Sequence, residues 1–141
     1  MTVTVYPFHD GHLTSISVAD RTAVLGLEQV GGERFRMTLT AVEAFCVDGF
    51  REGNTILDLR SVSGGRPTGE DLAGLEAPEV MEILFPGPHP SAAEQYREVH
   101  AAFIQMRMDA LASREAVMVV LAPAYGADLY AYCRSVDLQP A

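Results

Sequence analysis

The tightest constraint on the fold is the run Glu33–Thr40, in which Phe35, Met37 and Leu39 alternate with Arg34, Arg36 and Thr38. A period of two puts successive side chains on opposite faces of a strand, so one face is buried and one is wet. Shorter runs with the same character surround it. Thr2–Tyr6 alternates until Pro7 ends it. His12–Val18 carries Leu13, Ile16 and Val18, and Thr22–Gln29 carries Val24, Leu25 and Leu27. Asp10-Gly11 and Gly31-Gly32 sit between these runs and favour the positive φ of tight reversals.

Val42–Asp48 is apolar at both parities, which suits a central strand covered on both sides, with a short helix as the alternative. The polar turn Gly49-Phe50-Arg51-Glu52-Gly53-Asn54 follows, with Gly53 and Asn54 read as positive-φ positions and Phe50 as an anchor into the core. Thr55–Val62 then resumes, alternating Leu57 and Leu59 with Asp58 and Arg60. Five short strands joined by turns describe an antiparallel meander.

Ser63–Thr68 reads as a loop, and Glu70–Phe85 is ambiguous, with Val80, Ile83 and Leu84 at helical spacing. The cluster Pro86-Gly87-Pro88-His89-Pro90 is a stiff connector. Ser91-Ala92-Ala93-Glu94 has the form of a capping box and starts a helix expected to reach Ser113. Its expected buried stripe is Tyr96, Val99, Phe103, Met106 and Ala110, widened by His100, Ile104 and Leu111. Val117–Leu121 and Leu129–Leu138 form a closing hairpin around Pro123–Gly126. The expectation is a single α+β domain, 1–141, with a meander of about five strands, a C-terminal β-hairpin and one long helix packed on the sheet.

At 141 residues the chain can bury roughly two-thirds of its unfolded surface in one core. Its net charge of −9 argues against nucleic acid and anionic membrane surfaces, which need clustered cations, and fits a basic protein partner. No basic leader and no long apolar run is evident, so the expected location is cytoplasmic, with Cys46 and Cys133 reduced.

Candidate chemistry is sparse. His9, Asp10 and His12 put imidazole and carboxylate ligands within four residues, a set that could serve a metal, although Asp10-Gly11 is already explained by turn geometry. No cofactor motif is present: Gly64-Gly65-Arg66 lacks the context of a phosphate loop. Asp48, Glu52 and Asp58 are carboxylates around the central turn. Arg51 and Glu52 at its tip, with Tyr125, Tyr130 and Tyr132 beside Arg134, have the composition of a partner-binding surface.

The segments Phe8-His9-Asp10-Gly11, Gly49-Phe50-Arg51-Glu52-Gly53-Asn54-Thr55-Ile56-Leu57-Asp58 and Tyr125-Gly126 resemble small bacterial families of unassigned function. Some families similar to these are grouped with immunity proteins of polymorphic toxin systems. The resemblance implies a compact, strand-rich fold and a protein-binding role, and it brings no active site with it. Three functions follow as expectations: a non-enzymatic protein-binding domain, a small-ligand protein or enzyme with a pocket between helix and sheet, and a domain that forms a homodimer through an exposed strand edge.

Overall fold

The computed structural model describes the backbone of residues 1–141 and every side chain except that of Ala93. Nine strands form one sheet: β1 (Thr2–Val5), β2 (His12–Ala19), β3 (Thr22–Glu28), β4 (Arg34–Thr40), β5 (Ala44–Asp48), β6 (Asn54–Ser63), β7 (Val117–Tyr125), β8 (Asp128–Cys133) and β9 (Ser135–Pro140). Two helices, α1 (Ala77–Leu84) and α2 (Ala93–Ala112), lie between β6 and β7 in the chain. The class is α+β, but the expected five-strand meander with one added hairpin and one helix is overturned. The sheet runs β5-β8-β7-β6-β2-β3-β4-β9, with β1 also paired to β6.

β2, β3 and β4 keep meander order, as do β6, β7 and β8. β5 leaves β4 at Ala41, whose φ is 52°, and pairs with β8 instead. β7 and β8 are apolar at both parities, and such strands need cover on both faces, so they occupy the interior of the sheet rather than extending its edge. β5 shows the converse: it was read as central, yet it is a half-buried edge strand with Asp48 exposed.

The segment expected as one strand from Leu129 to Leu138 is two strands separated by Arg134 alone, whose N–H donates to the Thr40 carbonyl (2.9 Å). β8 pairs with β5 and β7, whereas β9 pairs with β4 at the far end of the order. One continuous segment therefore serves both ends, and the sheet wraps round into a small barrel. Its interior is filled by side chains, as a barrel of this size requires. Leu25, Leu27, Met37, Leu39, Ile56, Leu59, Val119, Leu121, Leu129 and Ala131 are all buried there.

The outer faces of β7 and β8 carry a second core. Met118, Val120, Tyr130 and Tyr132 alternate with the inward residues and pack under the helices. The ambiguous Glu70–Phe85 stretch contains α1. A proline in its first turn, Glu79 at its N-terminal end and the i, i+3, i+4, i+7 spacing of Ala77, Val80, Met81 and Leu84 account for it. All four of those residues are buried. Phe85, just past the helix, meets Phe103 and Tyr132 edge-on, each with centroids 5.3 Å apart.

α2 differs from expectation in two ways. A 3₁₀ turn, Pro90–Ala92, precedes it, and the Ser91 hydroxyl is hydrogen-bonded to His89 Nδ1 (2.8 Å) rather than capping the helix. The helix also packs on only one side of the expected stripe. Leu111 is buried with Ile104, Met108 and Ala110 against the second core, while Tyr96, Val99 and Met106 of the expected stripe face solvent. No helix among the described residues is long and apolar enough to cross a membrane.

Candidate functional site

The corner between β5 and β6 gathers several of the residues singled out by the sequence. The chain leaves β5 at Asp48 and passes through two glycines in the left-handed region, Gly49 (φ 75°) and Gly53 (φ 79°). Asn54 is not a positive-φ turn residue. It is the first residue of β6, and its side chain is the buried clamp of this corner, 2% exposed. Its Oδ1 accepts from the backbone N–H of Arg51 (2.7 Å) and of Ala127 (3.2 Å), and its Nδ2 donates to the Leu13 carbonyl (3.2 Å). One short amide thus ties the loop, the β7–β8 turn and the start of β2 together.

Phe50 does not anchor the loop: it is 47% exposed. With the backbone held by Asn54, the ring is displayed rather than buried. Leu57 and Tyr125 are exposed at the same end, where Thr55 of β6 pairs with Tyr125 of β7. Gly49 abuts Gly126, since a Cβ on Gly49 would lie 3.2 Å from the Gly126 carbonyl oxygen. Asp48 is placed directly opposite Asp128 across β5 and β8, a like-charge pair that disfavours the sheet by a few tenths of a kcal/mol or more.

Beneath the loop lies a cleft of about 490 Å³ lined by His12, Glu28, Phe50, Arg51 and Glu52 among others. The structure therefore brings His12 to Arg51 and Glu52, and leaves the other two metal candidates outside the cleft. His9 and Asp10 face each other in the exposed turn (Nδ1–Oδ2 3.2 Å). Among the described residues no group of three or more His, Cys, Asp or Glu side chains converges to hold a metal ion.

The remaining candidates are committed elsewhere. Asp58 is ion-paired with Arg60, whose Nη1 also donates to the carbonyls of Glu70 (3.1 Å) and Asp71 (3.2 Å). The hydrogen bonds that Arg60 donates to the Asp58 carboxylate are the main reason its pKa is raised. The pair staples β6 to the segment before α1. Tyr130 and Tyr132 lie in the second core, so they share no exposed patch with Tyr125. The Tyr132 hydroxyl donates to the Arg107 carbonyl (2.7 Å), and burial pushes its pKa to about 12. Burial likewise pushes the Cys133 thiol to about 12, which makes it a poor nucleophile. Both cysteines are free.

Sequence reasoning missed the role of Asn54. Its partners Leu13 and Ala127 are 41 and 73 residues away, so no local pattern marks it. No protein-family model matches the chain, and no curated protein matches it. Among solved structures it is similar to the crystal structure of an uncharacterized protein from Neisseria gonorrhoeae, with a TM-score of 0.51 and 9% identity over 100% of both chains. At that identity the likeness concerns the fold.

Proposed function

We propose that the chain is a non-enzymatic protein-binding domain that engages a basic protein through the surface around Gly49–Asn54, as an immunity-type inhibitor engages a toxin. The observation that carries this reading is the display of Phe50 on a loop locked from below by Asn54. An exposed aromatic on a pre-ordered backbone loses little conformational freedom on binding, which is the property of an interface hot spot. The surroundings fit a basic partner. Glu52 offsets Arg51 on the loop, and the adjacent Asp48 faces Asp128 in a chain of net charge −9. A cationic partner group set against Asp48 and Asp128 relieves their repulsion and steers association.

The test is a photo-crosslinking amino acid placed at position 50, with position 30 as the control, because Val30 is more exposed (78%) and lies at the β3–β4 hairpin tip. Expressed in the source organism, the position-50 protein is expected to capture one defined basic protein that the position-30 protein does not. With that protein purified, Phe50→Ala should weaken binding by roughly 30-fold, the scale of a hot-spot residue. Equal or absent capture at the two positions overturns the reading.

A further inference from the structure

We infer that the junction between α2 and the barrel is a binding site for the oxyanion, carboxylate or phosphate, of a small ligand. The site is a cleft of about 490 Å³ at the opposite end of the β2–β3 hairpin from the Phe50 loop, and its lining includes Arg21, Arg107 and Arg134. β2 runs from His12 at the loop end to Ala19 at the cleft end, roughly 23 Å for a strand of this length. The inference is thus independent of the partner surface proposed above.

The fold brings these arginines together by backbone contacts, not by chance of side-chain reach. The corner Thr40–Val42 joins β4 to β5, and both sides of it are gripped. The Val42 N–H donates to the Arg21 carbonyl (2.8 Å), and the Arg134 N–H donates to the Thr40 carbonyl (2.9 Å). Arg21 at the hairpin tip and Arg134 at the β8–β9 bend are therefore fixed to the same three residues. Arg21 (φ 56°) and Ala41 (φ 52°) both hold left-handed backbone there, which side chains other than glycine adopt at a cost.

Arg107 enters from α2 and is set in place by its neighbours. Its guanidinium lies over the Phe103 ring at 4.5 Å and near that of Phe85 at 5.9 Å. Glu43 Oε2 is 2.8 Å from its Nε but off the N–H axis, so the contact is Coulombic and not a hydrogen bond. Among the described residues, its terminal nitrogens form no hydrogen bond, and neither Arg21 nor Arg134 has an ion-pair partner.

All ten cationic side chains of this acidic sequence are arginines, and three of them line this one cleft. Arginine presents a planar fork of donors matched to carboxylate and phosphate oxygens. Glu115 also lines the cleft and Glu43 is occupied by Arg107, so the site carries a modest positive excess suited to one oxyanion group. A cleft of this volume is in the range of small-ligand sites.

The test is titration of the isotopically labelled protein, followed by amide NMR, with inorganic phosphate in one arm and succinate in the other, ionic strength being held constant with sodium chloride. Saturable shifts confined to Arg21, Ala41, Val42, Arg107 and Arg134 are expected, and the arm that saturates at lower concentration assigns the ligand's head group. The double variant Arg21→Gln/Arg134→Gln changes two exposed side chains and should weaken binding by roughly tenfold or more while the rest of the spectrum superimposes. Arg36→Gln, on exposed β4 and away from the cleft, should bind as the parent does. Shifts that never saturate in either arm, that spread over the surface, or that respond equally to Arg36→Gln overturn the inference.

Discussion

Replacing Asn54 with alanine removes one amide and leaves three backbone groups without the partner they have in the folded protein. The Arg51 N–H lies in the loop, where water can replace the lost bond. The other two groups cannot recover in that way, because Leu13 is 1% exposed and Ala127 is 0% exposed. Each buried group left unsatisfied costs about 1–3 kcal/mol, so the two together give about 2–6 kcal/mol. Total stability for a domain of this kind is about 5–15 kcal/mol, so the loss is a large fraction of the whole. In urea unfolding followed by far-ultraviolet circular dichroism, with a slope of about 2 kcal/mol/M, the midpoint should fall by roughly 1–3 M with little change in slope.

The same clamp can be probed from the other side. A Cβ on Gly126 would lie 2.4 Å from Asn54 Oδ1, so Gly126→Ala clashes with the clamp when Asn54 is present and loses part of that clash when it is absent. The two substitutions should therefore be non-additive by about 1 kcal/mol or more. A loss under about 1 kcal/mol for Asn54→Ala, or strict additivity with Gly126→Ala, would refute the claim that this amide holds the corner.

Two further outcomes follow from the same geometry. Gly53→Ala should cost about 1–2 kcal/mol from its positive φ alone, since nothing lies within 4 Å of the added Cβ, whereas Gly126→Ala should cost clearly more in the same urea assay. For the alkaline limb, Tyr132 is raised from 10.0 to about 12 and Cys133 from 9.0 to about 12 in the folded chain. The unfolded chain then releases protons first, so stability is fully present below about pH 9 and falls as pH rises toward about 12. Urea midpoints measured between pH 8 and 11 should show that decline, and Tyr132→Phe should flatten it.

Local pattern read some elements correctly and failed on others for identifiable reasons. The alternation of Phe35, Met37 and Leu39 is the inward, buried face of β4, and the apolar run at Val117–Leu121 is the doubly covered β7. The boundaries of α2 fall within two residues of Ser91 and Ser113. What could not be read is which strand neighbours which. β5 pairs with a strand more than eighty residues later, and nothing in Ala44–Asp48 encodes that choice. Tyr130 and Tyr132 carry hydroxyls and alternate with smaller residues, so they look like a wet face until α1 and α2 cover them. On α2 the expected stripe is too wide: Ile104, Ala110 and Leu111 pack on the second core and Phe103 meets Phe85, whereas Tyr96, Val99 and Met106 face solvent.

Much of the architecture depends on Arg134. One residue out of strand register lets the C-terminal segment leave β7 and β5 and join β4, and that step closes the sheet. Closure explains why the ends of the barrel, and not its faces, carry the functional candidates. The interior is packed with Leu, Met and Ile side chains, and part of the outer face is occupied by the helices, so accessible polar and aromatic side chains collect where strands turn. At one end the turn is pinned by Asn54 and displays Phe50 beside carboxylates. At the other the turn is pinned at Thr40–Val42 and displays Arg21 and Arg134. The first end is thus held by the buried side-chain amide of Asn54, and the second by the backbone hydrogen bonds at Thr40–Val42.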